Sequence, residues 1–527
     1  MATMVDRQDN LAAQVIASAS SGGRGDAIAI REGDRAWTYR ELGDQIARIA
    51  AALGEIGVAV GDRVAILMRD TLEAAAVVLG VIHAGAVAVP LSELLRADGL
   101  RRHLEHAGAI AVVVDESLAP AVELIRRELP GLRYVLGIGR TRDGEIDLGA
   151  RARATRPVPP AAVAPGDDCL VLYSAGTDDE LRGVRHSHGS AWAACASFAD
   201  GFLEVGPGDR VLAINRLSMA FGLGAGLLFP LARGAETLLV PAQPHSDVVL
   251  GALGSFRPHV FLTTPSVLSQ LARDVVMLGL APPLTGVGRV IAAGEGMPGT
   301  LAARIRAALG AEPEVGYGLT EVMQLAFAGG VADDDRPRCC GRPLRGIEAR
   351  VVDDAGAVLG ADEIGTLQLK APSRCAGVIG SDGSDVTDDG WLITRDRFLV
   401  DERGLYHHCG RVDDLFKVGG KWVSPAEVER ALINHEAVWE AAVIGAADED
   451  GLTKPLAFVV VNVGYVGNAA LEGELRQYVK AALAPYKYPR WIDFVASLPK
   501  GPGGKVLRYK LRPVGRPRLA ETGAPES

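Results

Sequence analysis

The sequence is short of cysteine and shows no cysteine pattern. Its six residues (Cys169, Cys195, Cys339, Cys340, Cys375 and Cys409) form no CxxC pair and no regular framework. That usage fits a reducing cytoplasm and excludes a disulfide scaffold. No basic block interleaved with aromatics occurs, so nucleic acid is not an expected partner. The opening MATMVDRQDN is polar and lacks the apolar region of a signal peptide. Uncharged apolar runs are also scarce. The longest concern, Ala74–Leu91, reaches about eighteen residues, the lower edge of a membrane span. It contains Gly80, His83 and Gly85 and closes on Pro90 and Leu91, so it reads as a buried helix turning into a buried parallel strand. Membrane is therefore not an expected partner either, and no internal repeat is visible.

What is present belongs to a soluble globular protein. The 527 residues are 48% apolar and 23% charged, with 55 basic and 65 acidic side chains giving a net charge of −10. This length exceeds one ordinary domain. Through the first 330 residues, strand-like runs (DRVAILM, CLVLYSA, RVLAIN, AETLLVP, HVFLTTP, GRVIAAGE) alternate with helical patterns such as LGDQIARIAAALGEI and GTLAARIRAALG. Such alternation predicts an α/β fold with parallel sheets covered on both faces. From about Gly341 the texture changes to strand pairs broken by turn residues (IEARVVDDAGAVLG, IGTLQLKAPS), as in a small antiparallel barrel. A further boundary falls near GRVDDLFKVGG, after which a helix from about Ser424, a strand pair, a second helix and a glycine-rich basic stretch make a small α+β domain. The expected division is a large domain over 1–411, a small mobile domain over 412–513 and a disordered Pro/Gly/Ser-rich tail over 514–527.

Six stretches carry chemistry, in this order: YSAGTDDELRG (173–183), IAAGEGMP (291–298), GYGLTE (316–321), GWLITRD (390–396), GRVDD…KVGGKWVSPAEVE (410–429) and PKGPGGKVLRYKLR (499–512). Together they resemble the adenylate-forming superfamily of acyl-CoA synthetases, peptide-synthetase adenylation domains and luciferases. MAFGLG (219–224) and KWVSPAEVE are similar to its benzoate-type acyl-CoA ligase branch. The resemblance implies two half-reactions: a carboxylate attacks the α-phosphate of ATP, then the small domain rotates and the CoA thiol displaces AMP. It implies that Asp396 and Arg411 hold the ribose and that Tyr317 stacks on adenine, with Gly318 beside it and Gly294 and Glu295 across the base. Thr320 would meet the α-phosphate, Glu321 would offer a hard oxygen to Mg²⁺, and Lys505 would bridge carboxylate and α-phosphate. Asp413 would be the hinge, Gly420 would let pantetheine pass, and Phe221, Gly222 and Gly224 would line the acyl pocket. His186 and His188, in the first turn of a helix, read as structural.

The first stretch departs from the resemblance. The family pattern is roughly S-S/T-G-T-T/S-G-x-P-K-G, a loop that grips the β- and γ-phosphates. Here Thr177 and Gly183 keep its ends, while Asp178, Asp179, Glu180, Leu181 and Arg182 replace its middle. Two unit charges about 5 Å apart interact by roughly 3 kcal/mol at an effective dielectric near 20. Carboxylates facing a triphosphate therefore cost several kcal/mol, whereas an acyl-adenylate has no β- or γ-phosphate to feel them. Arg395 in place of the usual glycine of T-G-D is a second departure. The expectation is an acyl-CoA ligase for a bulky cyclic or aromatic acid that mainly runs the thioester-forming half, receiving acyl-adenylate from a separate partner enzyme. Its cofactors are then acyl-AMP or AMP, CoA and Mg²⁺, with ATP where adenylation is retained. Lys505 and Glu321 argue for the complete ATP-dependent ligase, and a free-standing enzyme loading a carrier protein is the other alternative. A non-catalytic binder of the acid or adenylate would have no need of Gly420 or of a hinge.

Overall fold

A computed structural model of the chain describes residues 9–20, 23–173, 181–297, 299–330, 339–381, 383, 385–411, 416–418, 421–448, 452–500 and 506–511. Two large sheets dominate it. In the first, the apolar runs Arg63–Leu67, Val87–Pro90, Ala111–Asp115 and Tyr134–Ile138 pair in parallel. Asp168–Tyr173 joins them beside Val87–Pro90 and turns back antiparallel into Gly183–Ser187. The hairpin tip is the acidic loop, whose residues 174–180 (Thr177, Asp178, Asp179 and Glu180 among them) lie outside the described residues. Ala111–Asp115 is buried at every position, as a strand covered on both faces must be.

The uncharged run at Ala74–Leu91 is core. It forms the helix Leu72–His83, in which every residue but Glu73 is buried, and then the strand Val87–Pro90. His83 is satisfied there through Nε2, 3.0 Å from the Val158 carbonyl. Thr71 caps the helix by accepting from Ala74 N–H. Among the described residues, no helix is long and apolar enough to cross a membrane.

The second sheet places Glu236–Leu239, Arg210–Ala213, Val260–Thr263, Arg289–Ala293 and Pro313–Leu319 side by side in parallel. Gln324–Gly330 then reverses direction, and Cys339–Pro343, Tyr406–Arg411, Leu392–Val400, Gly365–Lys370 and Glu348–Val352 follow antiparallel. The antiparallel strands predicted from residue 341 onward thus continue the parallel ladder edge to edge. Their own core is aromatic: Phe327, Phe398 and Tyr406 pack together, with Phe327 and Tyr406 stacked at 4.5 Å. The chain reverses just beyond Leu319, so residues 316–321 sit at the carboxyl end of the parallel strands, where open α/β sheets bind ligands.

The C-terminal part has its own core of Val428, Leu432, Val443, Val459, Leu475 and Val479, built by the helices Pro425–Ile433 and Ala469–Ala482 against the strands Val438–Ala447 and Thr453–Val461. Buried Glu429 is satisfied by Arg508 at 2.8 and 2.9 Å and by Val443 N–H. Among the described residues, this part meets the large sheet region where Ser424 Oγ donates to the Cys409 carbonyl at 2.6 Å, Thr300 Oγ1 donates to Asn434 Oδ1 at 3.1 Å, and Arg273 and Arg304 lie over the Trp439 ring. Residues 412–415, with the expected hinge Asp413, lie outside the described residues, as do Gly420 and Lys505.

Candidate active site

Two antiparallel strands present the ribose-binding candidates. Asp396 on Leu392–Val400 stands opposite Arg411 on Tyr406–Arg411. Tyr317, on the strand Pro313–Leu319, donates its hydroxyl to Asp396 Oδ2 at 3.0 Å, and His408 Nε2 lies 2.8 Å from Oδ1. Burial by itself pushes the Asp396 carboxyl up. The donors and charges of His408, Arg411 and Tyr317 outweigh it, and Asp396 is held below its ordinary value. Burial, reinforced by Asp396, lifts the Tyr317 phenol well above its own, so it stays a donor. Asp396, Arg411 and Tyr317 are therefore one cluster, with Tyr317 and Asp396 brought together from 79 positions apart.

One turn further, Thr320 and Glu321 begin a short 3₁₀ turn after Pro313–Leu319. His186 Nε2 donates to the Thr320 carbonyl at 2.8 Å. Burial drops His186 to about 4, so its ring is neutral and ties the strand after the acidic loop to the Thr320 backbone. His188 accepts from Leu11 N–H at 3.0 Å. Both histidines hold backbone, as expected of structural residues, but only His188 opens a helix; His186 lies in the strand Gly183–Ser187, where pairing with Asp168–Tyr173 extends the chain past the expected helix start. Arg182, the described cation at the end of the acidic loop, reaches Glu321 at 3.2 Å and Asp385 at 3.3 Å. All three side chains are largely buried, and the two carboxylates hold the guanidinium charged against the cost of that burial.

The remaining candidates serve the scaffold visibly. Gly294 has φ +89°, a left-handed turn that ends Arg289–Ala293 and that other residues resist. Glu295 accepts from Ser266 N–H at 3.0 Å, in the first turn of Pro265–Leu278, and burial raises its carboxyl. A side chain on Gly318 would meet the Gln324 carbonyl oxygen at 2.4 Å. Gly183 is buried at the start of its strand. Phe221 is half-buried, while a Cβ on Gly222 would come within 2.0 Å of the Arg216 carbonyl oxygen and one on Gly224 within 2.5 Å of the Phe229 ring. The segment is pinned by Arg216, whose guanidinium meets Asp70, Glu93 and the Val240 and Ala242 carbonyls.

Sequence reasoning missed His408, Asp385 and Arg216. His408 had one signal: it stands three residues before Arg411 in a strand, one of two histidines in an otherwise apolar YHHCG. Magnesium, implied by the resemblance, fits Glu321, a hard carboxylate with the Thr320 hydroxyl next in the chain. No group of three or more His, Cys, Asp or Glu side chains forms a cage among the described residues, so such an ion would lean on nucleotide phosphates and water.

Known proteins are similar to this chain in sequence and in fold. The family described as AMP-binding enzyme matches residues 18–377, and the AMP-binding enzyme C-terminal domain matches 427–505. The chain is 34% identical over 519 residues to a benzoate–CoA ligase of Thauera aromatica, covering 97% of each. It is also 34% identical over 513 residues to a 4-hydroxybenzoate–CoA/benzoate–CoA ligase of Rhodopseudomonas palustris, covering 96% of this chain and 94% of that one. Among solved structures, an anthranilate CoA ligase in complex with anthranoyl-AMP superposes with a TM-score of 0.87 at 31% identity, covering 95% of this chain and 96% of that one. A benzoate CoA ligase from Burkholderia xenovorans gives a TM-score of 0.87 at 30% identity, covering 96% and 100%. With Asp396, Tyr317, Thr320 and Glu321 gathered at the strand ends, the chain belongs to the AMP-binding enzyme family, among the adenylate-forming acid–thiol ligases of the benzoate-type branch.

Proposed function

We propose that this enzyme joins an aromatic carboxylic acid to coenzyme A through an acyl-adenylate, and that it runs the second half-reaction far better than the first. The acid's class is supported by the relatives, which are named for benzoate, hydroxybenzoates and anthranilate. The imbalance rests on one observation: Arg182, where the family loop carries its phosphate lysine, is engaged by two of the chain's own carboxylates. With Asp178, Asp179 and Glu180 before it, the loop offers a triphosphate little positive charge.

In the first half-reaction a carboxylate oxygen bonds to the α-phosphorus and the α–β bridging bond breaks, releasing pyrophosphate. Lys505 neutralises both reacting groups, and Thr320 holds the α-phosphate. Mg²⁺ at Glu321, when bound, supplies charge neutralisation to the phosphates. In the second, the thiol sulfur bonds to the acyl carbon, the C–O bond to phosphate breaks, the thiol proton leaves, and AMP departs. Asp396 and Arg411 grip the ribose throughout, Tyr317 flanks adenine with Gly294 and Glu295 across it, Asp413 is the hinge, and pantetheine passes Gly420. The acyl group lies against Phe221, whose neighbours Gly222 and Gly224 let the chain pack closely there. The acyl-adenylate is supplied by another enzyme to the extent that this one makes it slowly.

The test compares two assays. Replacing Asp178–Arg182 with T-G-x-P-K should raise ATP–pyrophosphate exchange by roughly 10²-fold, the factor that ~3 kcal/mol represents. Thioester formation from supplied benzoyl-AMP should hardly change. A wild-type enzyme that exchanges pyrophosphate as fast as it forms thioester is instead the complete ATP-dependent ligase.

A further inference from the structure

Among the described residues, Asp396 has one hydrogen-bond partner on each oxygen, and they come from different strands. Tyr317 Oη donates to Oδ2, and His408 Nε2 meets Oδ1. Since an ionised carboxylate only accepts, the proton of that second bond sits on His408 Nε2. A carboxylate has about four lone-pair directions, so each oxygen keeps one for a ribose hydroxyl. The terminal torsion of an aspartate is soft and roughly two-fold. A single donor leaves the carboxylate free to pivot; two donors on opposite oxygens fix its plane. Arg411, opposite Asp396 in the ladder, adds charge and does not set that plane by itself.

The His408 ring is in turn fixed by its surroundings. It lies against Tyr317 at 5.8 Å with 27° between planes, and Phe398 meets its face edge-on at 5.1 Å. His408 pairs with Phe398 in the ladder, and a register shift between Arg397 and Phe398 brings its ring diagonally onto Asp396. We propose that His408 is the positioning residue of the ribose site, holding the Asp396 carboxylate in the plane that a vicinal diol can chelate. The proposal rests on the reading that Asp396 binds the ribose, and the experiment separates the two.

Calorimetry with AMP and 2′,3′-dideoxy-AMP isolates the diol. The wild-type enzyme should bind AMP more tightly. His408→Phe keeps an aromatic ring but loses the donor, so AMP should weaken by about tenfold while dideoxy-AMP is unchanged. His408→Gln returns a donor near the Nε2 position and should recover most of the preference for AMP. Tyr317→Phe, an isosteric loss of the other donor, should reduce the same preference. Equal weakening of both nucleotides in His408→Phe, wild-type discrimination in it, or no recovery in His408→Gln overturns the proposal. Asp396→Ala should abolish the discrimination altogether. If Asp396→Ala loses it while His408→Phe retains it, only the role of His408 falls. If Asp396→Ala retains it, the ribose reading falls as well.

Discussion

Asp70 and Asp396 are both buried carboxylates, and their surroundings send them in opposite directions. Asp396 has donors on both oxygens and sits below its ordinary value. Asp70 is pushed up to about 7, first by burial, because Arg216 only partly offsets it and Glu93 shares the same guanidinium. A carboxyl with a raised folded value contributes stability that is full below its unfolded value near 4 and is lost as pH rises toward 7. The Asp70 contribution to the unfolding free energy should therefore fall by up to a few kcal/mol between pH 4 and 7, at most about 1.4 kcal/mol for each pH unit crossed, and comparison with a variant separates it from the opposite slope of the buried histidines. Asp70→Asn should lack that slope, so wild-type stability should fall relative to the variant's as pH rises. Urea unfolding at pH 5 and pH 8 measures it, and identical slopes would refute the assignment. Asp396 works the other way: its contribution is full above its unfolded value and is lost only as pH falls through a lower one.

Within the helical segment from Ala220 to Leu228, small residues do unequal work. Gly222 faces backbone: an added Cβ would lie 2.0 Å from the Arg216 carbonyl oxygen and 2.6 Å from that of Asn215. Gly226 faces only Ala213 and Leu217 side chains, at 3.6 and 3.7 Å. Gly222→Ala should cost about 3 kcal/mol, whereas Gly226→Ala should be neutral or stabilising by up to ~1 kcal/mol. Denaturant midpoints decide this, and equal losses would mean the segment is not held against Arg216. MAFGLG was legible as a motif, yet the sequence did not show that Gly222 serves a close backbone approach. The reason is distance along the chain. Strands such as Ala111–Asp115 and helices such as Leu72–His83 announce themselves by local pattern. The pairs Arg182–Glu321 and Arg182–Asp385 join residues 139 and 203 positions apart, and sheet topology alone brings them together. His408 was hidden for a related reason, since the register shift in its ladder breaks the simple cross-strand pairing rule.

At the scale of the whole molecule, one aromatic ring adds to the hydrogen bonds that join the C-terminal part to the large sheet region. Trp439, on Val438–Ala447, has Arg304 at 4.9 Å and Arg273 at 5.4 Å from its centroid. Arg304 Nε and Nη2 are buried with no hydrogen-bond partner among the described residues, and burial lowers the guanidinium's value against the charge of Glu440. The ring face is what compensates that cation. Each such contact is worth about 0.5–2 kcal/mol, more as water is excluded. The hydrogen bond from Thr300 to Asn434 is a neutral pair worth about 1 kcal/mol. Trp439→Ala should thus weaken the contact between the two parts by about 1.5 kcal/mol, roughly tenfold in an equilibrium constant. Limited proteolysis that separates the two parts should quicken by that factor, while Trp439→Phe, which keeps a ring face, should lose less. The helix Pro425–Ile433 has its own core, so its amide exchange should stay slow in both variants. Wild-type cleavage rates in Trp439→Ala would show that the arginines hold nothing through the ring, and faster exchange across Pro425–Ile433 would show that the substitution loosened the C-terminal core instead of the contact.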